Sequence, residues 1–572
     1  MKLDSARAER GRAARTLIAF AIAIAFASSF AGCGDEFSSC EARKICATGG
    51  SAGMDSGSGG NSSEGGTIGT AGSSSGGANQ GGVAGGEAGA SGSAGSAGSA
   101  GEAGTGGSSG GCDLSSSPSV TPCVATNEHA WFVAPSGSDS GAGTREKPFK
   151  TLRHALDIAL ADPSKVVIAC NVAFRESLFV NAGVRMYGGF GCPGTSAPWV
   201  YQPGTTTIVA PPSPGPAIEI RGVSREVIVE DFEFLPDDAS TPGTSSIAAS
   251  VAQSSNVVFR RTRLTAGKAG NGAAGSDGED GEDGLPSTLA QNGPTVNECP
   301  CPTDMLVALA REPVCLSRGG DGGGTIFATV APTLGRAGEP GPLDNRGMLG
   351  SSQGTAGDVG APGSPGKSSG RLGSFSDQGY TPAPDAAAGS DGAPGQGGGG
   401  GAAGLGDPNA NCCGGFGGAG GMGGCGGKAG KGGGGGGASI ALLVWDSSVN
   451  LEACRLIASD GGGGGKGGNG GLGGKGQPGG LGGLGYTGVT KHGGDGGPGA
   501  DGGIGGPGAG GTGGPSIGIV VHGNAPITDA KTTITVGNPG AAGVGGTSLE
   551  VQGDPGSEGF TAKVWPIVDA DQ

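Results

Sequence analysis

Glycine returns at every third residue from Gly464 to Gly488 and, after a break at Lys491-His492, again from Gly493 to Gly514. The same period runs through Gly272–Gly284, Gly354–Gly366 and Gly415–Gly436. It matches neither the 3.6-residue repeat of an α-helix nor the two-residue repeat of a strand. Three structures tolerate it: a collagen triple helix, a bundle of polyproline-II-type helices with one bare stripe each, or plain disorder. Collagen needs three chains and proline or hydroxyproline near ~15–20%. Only Pro478, Pro498 and Pro507 lie in the 54 residues from Gly461 to Gly514. Disorder and a packed bundle remain, and the unbroken period favours the bundle, since a flexible linker has no need of register. The 25 residues Gly464–Gly488 would then reach ~75 Å at about 3.1 Å per residue.

With 136 glycines in 572 residues and 4% aromatics, one large apolar core is excluded. A net charge of −16 argues against a chain-wide nucleic-acid footprint, and no nucleic-acid partner is expected. Matches to G-x-G-x-x-G follow from composition and say nothing about nucleotides.

The N-terminus reads as an export signal: five basic residues within 1–15, then an uncharged apolar stretch from Thr16 to Phe30. Phe30-Ala31-Gly32-Cys33 resembles the lipobox of bacterial lipoproteins, with Phe30 in place of the usual leucine. The resemblance implies cleavage after residue 32, diacylation (palmitate-type) of Cys33, and a membrane partner through that lipid, at the outer membrane or cell surface. Export suits the fourteen cysteines, of which the close pairs Cys40/Cys46, Cys112/Cys123 and Cys170/Cys192 are candidate disulfides. Cys299, Cys301, Cys315, Cys412, Cys413, Cys425 and Cys454 make an odd seven without zinc-site spacing, so one thiol is left over. Gly49 to Gly111 is Gly, Ser, Ala and Thr almost throughout and reads as a flexible tether.

Ala130 to Leu264 carries ordinary signals. Thr151 caps a helix with Leu152, Ala155, Leu156 and Ala159 on one face, and Pro163 stops it. Short β-rich runs follow at Val166–Cys170, Val184–Tyr187, Thr207–Ala210, Ala217–Ile220 and Val227–Leu235. A pattern of two or three short strands repeats at Ala217–Phe234, Ile247–Ala266, Ile440–Ala458 and Ile517–Val536, so the copies should stack and what lies between them should loop out. Strand alternation points Val227, Val229, Phe232, Phe234, Val257, Phe259, Leu264, Val449, Leu451 and Leu456 inward.

The stretch Trp131–Leu156, with Pro148-Phe149-Lys150-Thr151 before the helix, resembles the opening of pectin-lyase-like right-handed parallel β-helices. The glycine repeat resembles the glycine-rich sandwiches of some phage adhesin tips and of a springtail antifreeze protein, and by composition the glycine-rich (PGRS-like) domains of mycobacterial surface proteins. The expected fold is all-β: a right-handed parallel β-helix solenoid interrupted by glycine-rich polyproline-II-type or disordered insertions. The expected layout is signal 1–32, lipidated segment 33–48, tether 49–111, β-helix with cap helix 112–265, insertion 266–437, a coil 438–458, insertion 459–514 and terminal coils 515–572.

The chemistry is sparse. None of His129, His154, His492 and His522 joins a nucleophile or metal motif. Pectate lyases, as the resemblance implies, use carboxylate-held calcium and an arginine base; the nearest material is Asp231, Glu233 and Arg261, beside Glu230 and Arg260. Glu279-Asp280-Gly281-Glu282-Asp283-Gly284 lacks the nonapeptide of calcium-binding β-rolls and reads as a solvated acidic loop, with weak calcium binding as the alternative. No catalytic residue, cofactor or metal is assigned. The expected role is structural, adhesive or glycan-binding, toward glycans or extracellular matrix; the alternative is a polysaccharide lyase or glycoside hydrolase on the same fold.

Overall fold

The Thr151 hydroxyl accepts the His154 N–H at 3.2 Å, so a helix begins at Leu152 and runs to Ala161. Its face of Leu152, Ala155, Leu156 and Ala159 is buried and packs on the first strands of the chain. The computed structural model describes residues 111–192, 199–301, 307–326, 331–348, 350–549 and 551–568. Cys33, Cys40, Cys46 and the tether up to residue 110 lie outside the described residues.

The protein is mostly β, with three principal sheets of six, eight and six strands whose stacked strands are parallel. The chain visits them in turn. Ile218–Arg221 lies in the first sheet, Val227–Glu230 in the second and Phe232–Phe234 in the third. The next circuit is Ser246–Ala252, Val257–Arg260 and Arg263–Thr265. Two more follow, Ser439–Trp445 with Val449–Glu452 and Arg455–Ile457, then Ser516–His522 with Ile527–Thr528 and Thr533–Thr535. Thr561–Ile567 ends the first sheet.

Register aligns like with like. Val227 and Val449 flank Val257, Phe234 and Leu456 flank Leu264, and Ile220, Val251, Val444 and Val521 form one column. All ten residues expected to face inward belong to one buried cluster, each contributing on the order of 1.5–3 kcal/mol. Ser246 pairs with Ser439 although the second and third circuits are far apart in sequence, so the intervening chain leaves the sheets and returns.

That excursion is packed. Backbone hydrogen bonds recur every three residues between segments: Gly272, Gly275, Gly278 and Gly281 donate to Gly463, Lys466, Asn469 and Leu472. Gly465, Gly468 and Gly471 donate to Gly434, Lys431 and Lys428 in turn. Glycine count per three residues tracks depth. In 272–284 one glycine recurs with polar residues, and most of those residues are exposed. In 415–437 two glycines recur, and most residues are buried, Lys428 and Lys431 being the exposed ones. The reason is close approach: a Cβ on Gly420 would sit 1.8 Å from the Gly398 carbonyl oxygen, and one on Gly421 would sit 1.9 Å from that of Gln477. Consecutive glycines thus face different neighbours, and a segment with two bare stripes is flanked on two sides. Segments 389–404 and 537–559 join the same array; the second falls within the range read above as terminal coils.

A hairpin of Ser374–Ser376 and Gly379–Thr381 fixes the excursion to the first sheet. Its Phe375 and Tyr380 pack with Ile247, Ile440 and Ile517, and Asp377 takes Arg221 at 2.7 Å. Among the described residues five disulfides join Cys112–Cys123, Cys170–Cys192, Cys299–Cys412, Cys301–Cys413 and Cys315–Cys425. Cys454 is the free, buried thiol among the described residues.

Candidate functional site

The β-rich run Val227–Leu235 is not one strand. It bends at Asp231, whose φ is 59°, where the chain passes from the second sheet to the third. Arg261 (φ 47°) and Ala453 (φ 55°) hold the equivalent corners of the next two circuits. The left-handed conformation therefore belongs to the corner itself and carries no chemical meaning of its own. Stacking the corners places Arg261 against Asp231. Arg261 Nε donates to Asp231 Oδ1 at 2.9 Å and Nη2 to Oδ2 at 2.8 Å.

The neighbouring carboxylate joins in. Glu230 is fully buried; its Oε1 accepts from Arg261 Nη2 and the Ser117 hydroxyl, and its Oε2 lies 3.5 Å from Arg260 Nη1. Tyr201 donates its hydroxyl to Asp231 Oδ2 at 2.9 Å. Arg260 continues to Glu452 at 2.9 Å and to the Ser115 carbonyl at 2.9 Å. The disulfide-closed segment Cys112–Cys123 lies over this face, and Tyr187 donates to its Leu114 carbonyl at 2.7 Å. Of the three residues singled out from sequence, Asp231 and Arg261 meet. Glu233 does not join them: it faces Arg263 at 3.2 and 3.3 Å in the third sheet.

Electrostatics work against turnover at this cluster. The hydrogen bond to Asp231 raises the Arg261 pKa above its usual value, against the opposing effect of burial, with Asp231 and Glu230 charge adding to it. An arginine base must lose that proton, so its carboxylate partners disfavour the role. Burial, then Asp231, pushes the Tyr201 hydroxyl up to about 12. A calcium ion needs carboxylate oxygens free to face it, whereas these face guanidinium groups. The donor set does not fit calcium, and among the described residues no group of three or more His, Cys, Asp or Glu side chains could hold a metal ion.

The acidic loop has a different use. Asp277, Asp280 and Asp283 accept the backbone N–H of Asn469, Leu472 and Lys475 at 2.7, 2.7 and 2.6 Å, clamping one glycine-rich segment to the next. A cavity of about 500 Å³ beside the loop 136–141 is lined by Ser136, Ser138, Ser140, Glu146, Lys147 and Trp199. It offers hydroxyls and charge without a nucleophile held by a base. Sequence reasoning missed Tyr201 and Ser117, which reach Asp231 and Glu230 only through the fold.

No protein-family model and no curated protein matches the chain. Two solved structures overlap a part of it. A GH136 lacto-N-biosidase from Eubacterium ramulus has 12% identity and a TM-score of 0.17, covering 24% of this chain and 34% of that one. A rhamnogalacturonan lyase has 15% identity and a TM-score of 0.17, covering 24% of this chain and 36% of that one. The chain thus spans about a third of the structures it matches. Among the described residues no helix is long and apolar enough to cross a membrane.

Proposed function

We propose that this protein is a membrane-anchored extracytoplasmic lipoprotein with a structural, adhesive or glycan-binding role. Cys33 is the lipid attachment point, and the tether 49–111 carries the folded part away from the membrane. The three-sheet circuits wind as a right-handed parallel β-helix, and the glycine-rich segments are polyproline-II-type helices. The result is a rigid, weakly acidic surface for a glycan or matrix partner.

The observation that supports a non-catalytic reading is the mutual satisfaction of Asp231, Glu230 and Arg261. Their charges are spent on one another, and the arginine is held protonated. The test is an array of neutral and acidic polysaccharides, read for both binding and cleavage with calcium present. Binding without product is the expected result. Cleavage that disappears in Asp231→Asn and Arg261→Lys variants of unchanged fold would establish the lyase or hydrolase instead.

A further inference from the structure

The groove between segments 462–485 and 493–514 is filled for only half its length. Near the sheets, segment 540–547 lies in it. Gly540, Gly543 and Gly546 donate to the carbonyls of Gly514, Gly511 and Gly508, while Ala541, Val544 and Thr547 accept from Gly464, Gly467 and Gly470. The chain then turns away into the hairpin Thr547–Ser548 and Val551–Gln552, and the Ser548 hydroxyl takes the next carbonyl, that of Gly505.

Beyond that point the same groove continues without its third wall. The carbonyls of Gly502, Gly499 and Gly496 continue the series at three-residue spacing, and none accepts a hydrogen bond among the described residues. Opposite them, among the described residues, the N–H groups of Gly473 and Gly479 have no partner, and those of Gly476 and Gly482 are met only by the side chains of Asp501 and Asp495. Gly505, Gly508 and Gly511 are buried where the groove is filled and Gly502 is still buried just past it, whereas Gly499 and Gly496 farther along are half-exposed. Backbone groups left in this way are met by water or by a further segment.

We propose that this open half-groove takes one more glycine-every-third segment, and that the occupant is residues 86–110 of a second copy of the protein. Gly86, Gly89, Gly92, Gly95, Gly98, Gly101, Gly104, Gly107 and Gly110 keep the period without a break. The residues between Gly89 and Gly101 are all Ala or Ser, so Gly95-Ser96-Ala97-Gly98 matches the resident Gly540-Ala541-Ala542-Gly543 in bulk and spacing. Glycine N–H groups of the occupant bond the Gly502, Gly499 and Gly496 carbonyls, and its own carbonyls accept from Gly473 and Gly479. Keeping the polarity of 540–547, the occupant runs away from the sheets. Cys112 is fixed against the sheets through its disulfide loop, so a segment ending at Gly111 with that polarity comes from another copy. This proposal rests on the groove alone and is independent of any glycan.

The test adds a synthetic peptide of residues 86–110 to the full-length chain, beside a peptide of the same composition with the period scrambled. Amide exchange is followed at Gly473 and Gly479, and association by sedimentation velocity across concentration. The proposal expects exchange at those two amides to slow by about tenfold with the periodic peptide alone. It also expects concentration-dependent association of the full chain that is lost when Gly92, Gly95, Gly98 and Gly101 are all changed to alanine. No protection, or equal protection by the scrambled peptide, overturns the groove. A chain that stays monomeric at every concentration overturns the second copy as occupant, whatever the peptide does.

Discussion

Arg261 closes on Asp231 through two parallel hydrogen bonds, 2.9 Å from Nε and 2.8 Å from Nη2, and each residue sits at the same corner of successive circuits. The carboxylate is almost wholly buried and Glu230 beside it is fully so. Removing the guanidinium leaves buried Asp231 with the Tyr201 hydroxyl and no facing cation, and leaves Glu230 to Ser117 and to Arg260 at 3.5 Å. Arg261→Met should therefore cost about 3 kcal/mol in urea unfolding, more than the joint replacement Asp231→Asn with Arg261→Met. Equal losses for single and double variants would mean that the pair contributes nothing specific.

Two glycines in one bundle should respond to very different degrees. A Cβ on Gly421 would lie 1.9 Å from the Gln477 carbonyl oxygen, with backbone that cannot move aside, whereas one on Gly463 meets nothing nearer than 3.4 Å. Gly421→Ala should destabilise by about 1–3 kcal/mol and Gly463→Ala by much less. The midpoints of thermal unfolding compare them directly. Matching midpoints would argue against backbone contact as the reason for the second glycine stripe.

The columns of buried Val, Phe and Leu were legible because strand alternation needs only neighbours in sequence. The packing of 415–437 was legible in part: the period indicated a bare stripe, but its partners depend on where distant segments return. The break between Val227–Val229 and Phe232–Phe234 was legible in the repeat of short strands, but that Asp231 is the residue turning left-handed was not. Asp231 and Arg261 could be named from residue type alone. Tyr201 and Ser117 could not, because only the stacking of circuits brings them to the carboxylates.

Asp277, Asp280 and Asp283 form a row of clamps three residues apart, each accepting one N–H of the neighbouring segment. Changing one to alanine should cost about 1 kcal/mol and raise amide exchange at its own partner, Leu472 for Asp280→Ala. Calcium should leave the pattern unchanged, since the Oδ1 atoms are already engaged. Calcium-induced protection along 277–283 would assign the row to metal binding instead.

Cys454 gives the fold a pH dependence of known sign. Burial, opposed by hydrogen bonds, raises its thiol from an ordinary 9.0 to about 11. The folded state thus holds the proton where the unfolded chain releases it. The stability this thiol contributes is complete below about 9 and declines as pH climbs toward 11. Urea midpoints measured between pH 8 and 11 should fall, and Cys454→Ala should remove part of that slope while lowering stability at pH 8. Tyr201 titrates higher, toward about 12, so the lower part of the window reports the thiol more than the phenol. The same burial predicts that iodoacetamide at pH 8 spares Cys454 in the folded chain and labels it in urea. Rapid labelling of the native protein would place the thiol at the surface and remove the basis for the slope.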